Sequence, residues 1–262
     1  MNRKKSVFQT IPILLVFAFF QGALSFGAEI RHQFGIKMPM RDGTVLSADM
    51  WMPDVPGQYP AILVRTPYVK TWEFLRCPEF GQYFAGRGYI FIVQDVRGRG
   101  DSEGEFDFFF PDGKDGYDSV EWVAAQPWSN GKVGMMGVSY LGTVQWLAAR
   151  EKPPHLVCIA PTAAAGRWFE ELPYHGGAFF LAFMLDWANL TSGRIRQRDN
   201  SLSVDWNKVF RHRPLITMDD ALGRDMRLFN EWLKHPTMDD YWKRIQLTPE
   251  DFPKIELIIQ PF

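Results

Sequence analysis

The chain has 262 residues, with 29 Lys and Arg against 30 Asp and Glu, a formal net charge of −1 and 46% hydrophobic residues. That balance gives no electrostatic reason for a nucleic-acid or acidic-membrane partner, and it excludes a disordered or fibrous chain. The length suits one large domain or two small ones, and 10 Trp, 8 Tyr and 22 Phe point to an aromatic-rich interior or pocket.

The first stretch reads apart from that core. Asn2-Arg3-Lys4-Lys5 is a basic start, Ile11–Phe20 is an apolar run, and small residues follow in Gln21–Glu29. This is the plan of a secretory signal peptide over residues 1–28, with Ala23-Leu24-Ser25 or Ser25-Phe26-Gly27 as the cleavage site. The apolar run is shorter than the roughly 20 residues of a spanning helix. The expectation is therefore a secreted or periplasmic protein with no stable membrane anchor after cleavage, and an uncleaved N-terminal anchor is the alternative.

Phe34–Met40 and Val45–Trp51 flank Arg41-Asp42-Gly43, whose Asp-Gly pair is a hairpin signal. Pro60–Thr66 reads as a short strand stopped by Pro67, and Phe74–Ala85 as a helix ending at Gly86-Arg87-Gly88. Tyr89–Gln94 is a continuous apolar run, as expected of a strand buried on both faces. Asp115–Gln126 reads as a helix, Lys132–Val138 as a strand, and Leu141, Val144, Leu147 and Ala148 fall at helical spacing. His155–Ala160 is one more strand, closed by Pro161.

Strands alternating with helices from 60 to 160 predict an α/β fold with a doubly wound, mostly parallel sheet. From 162 to 250 that rhythm gives way to aromatics among charges, Trp168, Phe179, Phe183, Trp187, Trp232 and Trp242 among them. This region reads as a helical insertion able to form a pocket, with plain amphipathic packing as the alternative. Cys77 and Cys158 make no disulfide framework, and neither CxxC nor HExxH occurs, so no metal or other cofactor is implied.

The segment that carries chemistry is Gly137-Val138-Ser139-Tyr140-Leu141-Gly142, between a predicted strand and a predicted helix. A serine at such a turn is held in strained backbone geometry with its hydroxyl lifted clear of the sheet. The helix N-terminus behind it presents free N–H groups to a developing oxyanion, Tyr140 N–H first. Leu141 stands where the last glycine of GxSxG belongs. A second oxyanion donor normally comes from the loop after the third strand, here Thr66-Pro67-Tyr68, which makes the Tyr68 phenol a candidate. Gly98-Arg99-Gly100-Asp101-Ser102-Glu103 starts like a dinucleotide fingerprint but has Glu103 in place of the third glycine.

Asp95–Gly104, Glu121-Trp122, Gln126–Val133 and Gly137–Gly142 together resemble the CocE/NonD hydrolases. That group includes cocaine esterase, α-amino-acid ester hydrolases and Xaa-Pro dipeptidyl-peptidases. Pro153–Leu156, His235-Pro236 and Asp240-Tyr241-Trp242 fit the same pattern. The resemblance implies an α/β-hydrolase with its core over 29–161, a helical cap over 162–250 and the start of the next core strand at 251–262. It implies Ser139 as nucleophile, with the Tyr68 hydroxyl and Tyr140 N–H as the oxyanion hole. It also implies a small-molecule ester or short peptide as substrate. Glu170-Glu171 followed by His175–Phe179 is similar to a stretch of the α-amino-acid ester hydrolases, which makes Glu171 a candidate for holding a substrate ammonium; two solvated carboxylates at a helix start are the alternative.

In this fold the triad runs Ser, Asp, His along the chain, and the last two should follow the strand predicted at Ile255–Ile259. Neither appears there, so the expectation is an N-terminal portion without the triad Asp and His and without a C-terminal β-sandwich. The leading reading is a serine hydrolase acting through an acyl-Ser139 intermediate, incomplete or inactive as this chain. A catalytically dead secreted remnant or binding domain is the alternative.

Overall fold

The computed structural model describes residues 29–196 and 204–259. The segment read as a signal peptide, residues 1–28, lies outside the described residues. A seven-stranded sheet forms the centre. Its strands are β1 (Ile30–Pro39), β2 (Val45–Pro53), β3 (Tyr59–Thr66), β4 (Ile90–Asp95), β5 (Ser129–Val138), β6 (Leu156–Thr162) and β7 (Ile258–Ile259), in the order β1-β2-β4-β3-β5-β6-β7. β1, β2 and β4 pair antiparallel, and β4, β3, β5, β6 and β7 pair parallel. The Asp42-Gly43 turn joins the first two strands, with Gly43 at φ +84°.

β4 lies inside the sheet between β2 and β3, and every one of its residues is buried. Successive side chains of a strand point to opposite faces, and the two cores follow that alternation. Phe91 and Val93 pack with Trp51, Cys77 and Ala85, while Ile90 and Ile92 pack with Met50, Leu63, Val120 and Val123. Helix α1 (Cys77–Ala85) supplies Cys77 and Ala85 to the first face. Helix α2 (Asp112–Ala124) supplies Val120 and Val123 to the second, and α3 (Tyr140–Arg150) reaches both through Leu141 and Ala148.

Three of the boundary differences from the sequence expectation have a local physical reason. The helix expected over Phe74–Ala85 is broken into a 3-10 turn, Glu73–Leu75, and α1, because Arg76 adopts φ 50° just ahead of Pro78. α2 begins at Asp112 rather than Asp115, with both acids in its first turn, where the helix dipole favours negative charge. β6 runs through Pro161 to Thr162. A proline removes only one ladder donor, and the Thr162 carbonyl still accepts from Ser139 N–H at 2.9 Å.

Between β6 and β7 the chain forms short helices: α4 (Trp168–Glu171), α5 (Leu181–Thr191), α6 (Trp206–Arg211), α7 (Arg227–Lys234) and α8 (Asp240–Lys243). Trp232 and Trp242 are fully buried and continue the same apolar core as Phe91. These helices therefore pack onto one face of the sheet, over the ends of β3 and β5.

Candidate active site

Ser139 stands exposed at the junction of β5 and α3, with φ 61° and ψ −122°. A side chain in that region of backbone space costs on the order of 1–3 kcal/mol and persists only where its surroundings enforce it. Here they do. Ser139 N–H is held by Thr162, and its carbonyl accepts from Gly142 N at 2.8 Å and Thr143 N at 3.0 Å. The flanking glycines are steric requirements. A Cβ on Gly137, at φ +149°, would lie 2.4 Å from the Leu141 Cβ, and one on Gly142 would lie 2.8 Å from the Ala164 Cβ. Gly142 thus does the close-packing work that the GxSxG spacing assigns one residue earlier.

Tyr140 is the first residue of α3, so its N–H has no acceptor within the helix. Its side chain goes into the core. The phenol donates to Asp112 Oδ2 at 2.5 Å and lies 3.1 Å from the Phe108 carbonyl. Arg65 Nη2 faces Asp112 Oδ1 at 3.1 Å, without hydrogen-bond alignment, and Arg65 Nη1 donates to the Asp112 carbonyl. Burial pushes the Asp112 carboxyl up to about 6, against the pull of Arg65 and of the Tyr140 hydroxyl.

Tyr68 comes from the loop after β3. Its N–H bonds Thr66 Oγ1 at 3.0 Å, and the next residue, Val69, has φ 73°. Asp95, at the end of β4, fixes the far side of the loop by accepting from Lys70 N at 2.6 Å and Lys70 Nζ at 3.1 Å. Burial pushes the Tyr68 phenol upward; interactions with Trp187 and with Ser139 work in the opposite direction. The structure therefore brings together three of the residues expected from sequence: Ser139, Tyr140 and Tyr68.

Glu171 is placed differently. It lies exposed on α4, accepting from Gly166 N at 2.9 Å and facing Arg167 at 3.8 Å, and none of these contacts is with Ser139, Tyr68 or Tyr140. Among the described residues no histidine contacts Ser139. His32 stacks on Trp51, His155 pairs with Glu121, His212 meets Thr217 and His235 pairs with Asp239 at 2.6 Å. His175 sits exposed in a 3-10 turn.

Sequence reasoning missed three contributors. Trp187, placed only among the aromatics of the helical region, donates from Nε1 to Tyr68 Oη at 3.1 Å and stacks on Tyr140. Asp112 precedes the expected helix and gave no periodic signal. Arg99 sits in the Gly-rich loop that suggested a nucleotide fingerprint. Its side chain is fully buried, donating from Nε to Pro67 O and from Nη1 to Thr191 O, both at 2.6 Å. Walls of Phe106, Phe108, Trp72 and Trp187 surround the Tyr68–Tyr140 pair.

Residues 42–257 match the model of the X-Pro dipeptidyl-peptidase (S15) family. The chain is 34% identical over 230 residues to the cocaine esterase of Rhodococcus sp. (strain MB1 Bresler), covering 81% of this chain and 40% of that protein. Two solved structures share the fold. An aminopeptidase from a marine sediment archaeon, Thaumarchaeota archaeon, superposes with a TM-score of 0.72 at 23% identity, covering 99% of this chain and 46% of that one. An α-amino acid ester hydrolase superposes with a TM-score of 0.70 at 22% identity, covering 96% and 45%. The chain thus spans less than half the length of these relatives.

Proposed function

We propose, for a chain that belongs to the X-Pro dipeptidyl-peptidase (S15) family, cleavage of an ester bond through an acyl-Ser139 intermediate. The observation that carries this reading is the strained, exposed Ser139 directly before Tyr140 at the start of α3, with the Tyr68 ring 6.5 Å from that of Tyr140. Attack of Ser139 Oγ on a carbonyl carbon moves charge onto the carbonyl oxygen. In this reading the Tyr140 N–H and the Tyr68 hydroxyl donate to that oxygen and stabilise it, and removing one such donor typically costs about 100- to 1,000-fold in rate. Collapse expels the alcohol and leaves the acyl group on Ser139 until water displaces it. A serine hydroxyl needs a base to take its proton. None is in contact with it among the described residues, and the resemblance assigns that role to a histidine held by an aspartate.

An ester with an apolar or aromatic acyl group fits the site best. Trp72, Phe106 and Trp187 ring the oxyanion donors. The carboxylate proposed for an aminoacyl substrate, Glu171, is engaged with Gly166 and Arg167. We also propose residues 1–28 as an export signal, on the basic start and apolar run of the sequence.

A fluorophosphonate that labels active serines tests the acyl-serine reading directly. Labelling of the folded chain that is lost in Ser139→Ala supports it. Absent labelling in well-folded protein, or equal labelling in the variant, overturns it for this chain.

A further inference from the structure

We infer that Trp187 is a positioning residue for the oxyanion hole: its indole N–H occupies a lone pair of the Tyr68 oxygen, which fixes the phenol and leaves its hydroxyl proton for a substrate oxyanion. The inference rests on the acyl-serine reading above and assigns a function to the helical region that covers the site. A phenol oxygen carries one proton and accepts through its lone pairs, whereas an indole N–H only donates. At 3.1 Å from Trp187 Nε1, the Tyr68 oxygen must be the acceptor. Its own proton then needs another acceptor. The indole cannot take that proton, so Trp187 leaves the Tyr68 O–H available for donation away from the indole. In the acyl-serine reading, a carbonyl oxygen entering beside Ser139 is the acceptor for that O–H.

The packing makes this arrangement rigid. Trp187 lies flat on Tyr140, with ring centroids 5.9 Å apart and planes at 15°. Phe108 and Trp232 close on it edgewise or tilted at 5.4 and 6.0 Å. One guanidinium then links the two partners. Arg99 holds the carbonyl of Pro67, directly before Tyr68, and that of Thr191, the last residue of the helix carrying Trp187. The donor and the acceptor are thereby referenced to a single buried side chain. The indole N–H also stabilises developing phenolate character, which makes the Tyr68 hydroxyl a stronger donor to an oxyanion.

The test uses the full chain with 3-fluorotyrosine at position 68, followed by fluorine NMR across pH. Trp187→Phe removes the N–H and keeps an aromatic ring. It is expected to raise the fluorophenol ionisation midpoint by roughly half a unit to one unit, the equivalent of one modest hydrogen bond. In hydrolysis of a 4-nitrophenyl ester of an aromatic acid, Trp187→Phe is expected to lower kcat about 10- to 100-fold with KM changed less than about threefold. An unchanged midpoint overturns the inference whatever the kinetics, and so does a loss confined to KM, which would make Trp187 a substrate wall only. If the unsubstituted chain shows no turnover and no serine labelling, the acyl-serine reading has failed, and the midpoint alone decides the role of Trp187. Where Trp187→Phe loses its fold by circular dichroism, benzothienylalanine at 187, with the indole shape and no N–H, takes its place.

Discussion

The Tyr140 hydroxyl and the Asp112 carboxylate meet at 2.5 Å, both buried, directly behind the turn that presents Ser139. The contact anchors the first residue of α3 and so fixes where its N–H points. Removing the hydroxyl leaves Asp112 Oδ2 without its short donor in an apolar setting, and an orphaned buried acceptor costs about 1–3 kcal/mol. Tyr140→Phe is therefore expected to lower the melting temperature by roughly 4–8 °C for about 2 kcal/mol lost in a domain of this size. The backbone N–H survives the change, so the loss should fall on stability. A melting temperature within a degree of the parent would show that Asp112 is satisfied by other means.

Ser139 pays a conformational penalty that glycine would not. At φ 61° and ψ −122° a Cβ is strained, and the strain is on the order of 1–3 kcal/mol. Ser139→Gly releases it, at the cost of a more flexible unfolded chain, and a net gain of about 1 kcal/mol is expected in urea denaturation. Ser139→Ala keeps the Cβ and should leave stability nearly unchanged. A Ser139→Gly variant less stable than Ser139→Ala by roughly 0.4–1 kcal/mol, the unfolded-chain entropy of glycine alone, would mean that the turn carries no strain.

Much of this architecture is visible in the chain itself. The Ile90–Val93 run marks a strand buried on both faces, Asp42-Gly43 marks the first hairpin, and the glycines at 137 and 142 bracket the serine turn. Each signal is local, a periodicity or a backbone requirement within a few residues. Trp187 was invisible as a partner of Tyr68 because the two are 119 residues apart. Its helix is apolar on several sides, so no periodicity singles Trp187 out. Arg99 was hidden for another reason. A buried arginine that donates to backbone carbonyls looks, in sequence, like any surface arginine in a glycine-rich loop.

That arginine gives a sharp test of how the helical region is held. Its fork spans Pro67 O and Thr191 O and also reaches Gly193 O, while burial pushes the guanidinium down to about 10. A lysine is a point donor on a flexible stem and cannot reproduce that planar geometry. Arg99→Lys is expected to lose about 2 kcal/mol, the scale of hydrogen bonds from a charged group. Faster amide hydrogen exchange should appear first at the C-terminal turn of α5 and in the Tyr68 loop. Uniform exchange across the fold, or protection unchanged at both places, would rule out a specific link between them.

Acid sensitivity should appear at the first hairpin. Asp42 Oδ2 lies 2.8 Å from Arg97 Nη1, and Asp42 Oδ1 accepts from Thr44 N at 3.0 Å. The Arg97 contact, then the Thr44 bonds, push the Asp42 carboxyl down from 3.8 to about 2. In the unfolded chain the same group takes up a proton near pH 4, so between about pH 4 and pH 2 the unfolded state binds more protons than the native one. The stability from this pair is therefore complete above about pH 4 and is lost as pH falls toward 2. Asp42→Asn removes the titration while keeping an oxygen for Thr44 N–H. The stability difference between parent and variant, measured by urea denaturation, should be largest at pH 5–6 and shrink below about pH 4. The difference should also narrow in high salt, because Asp42 is half exposed and its pairing with Arg97 is screened. A gap that stays constant down to pH 3 would show that the Asp42 carboxylate does not hold its charge through Arg97.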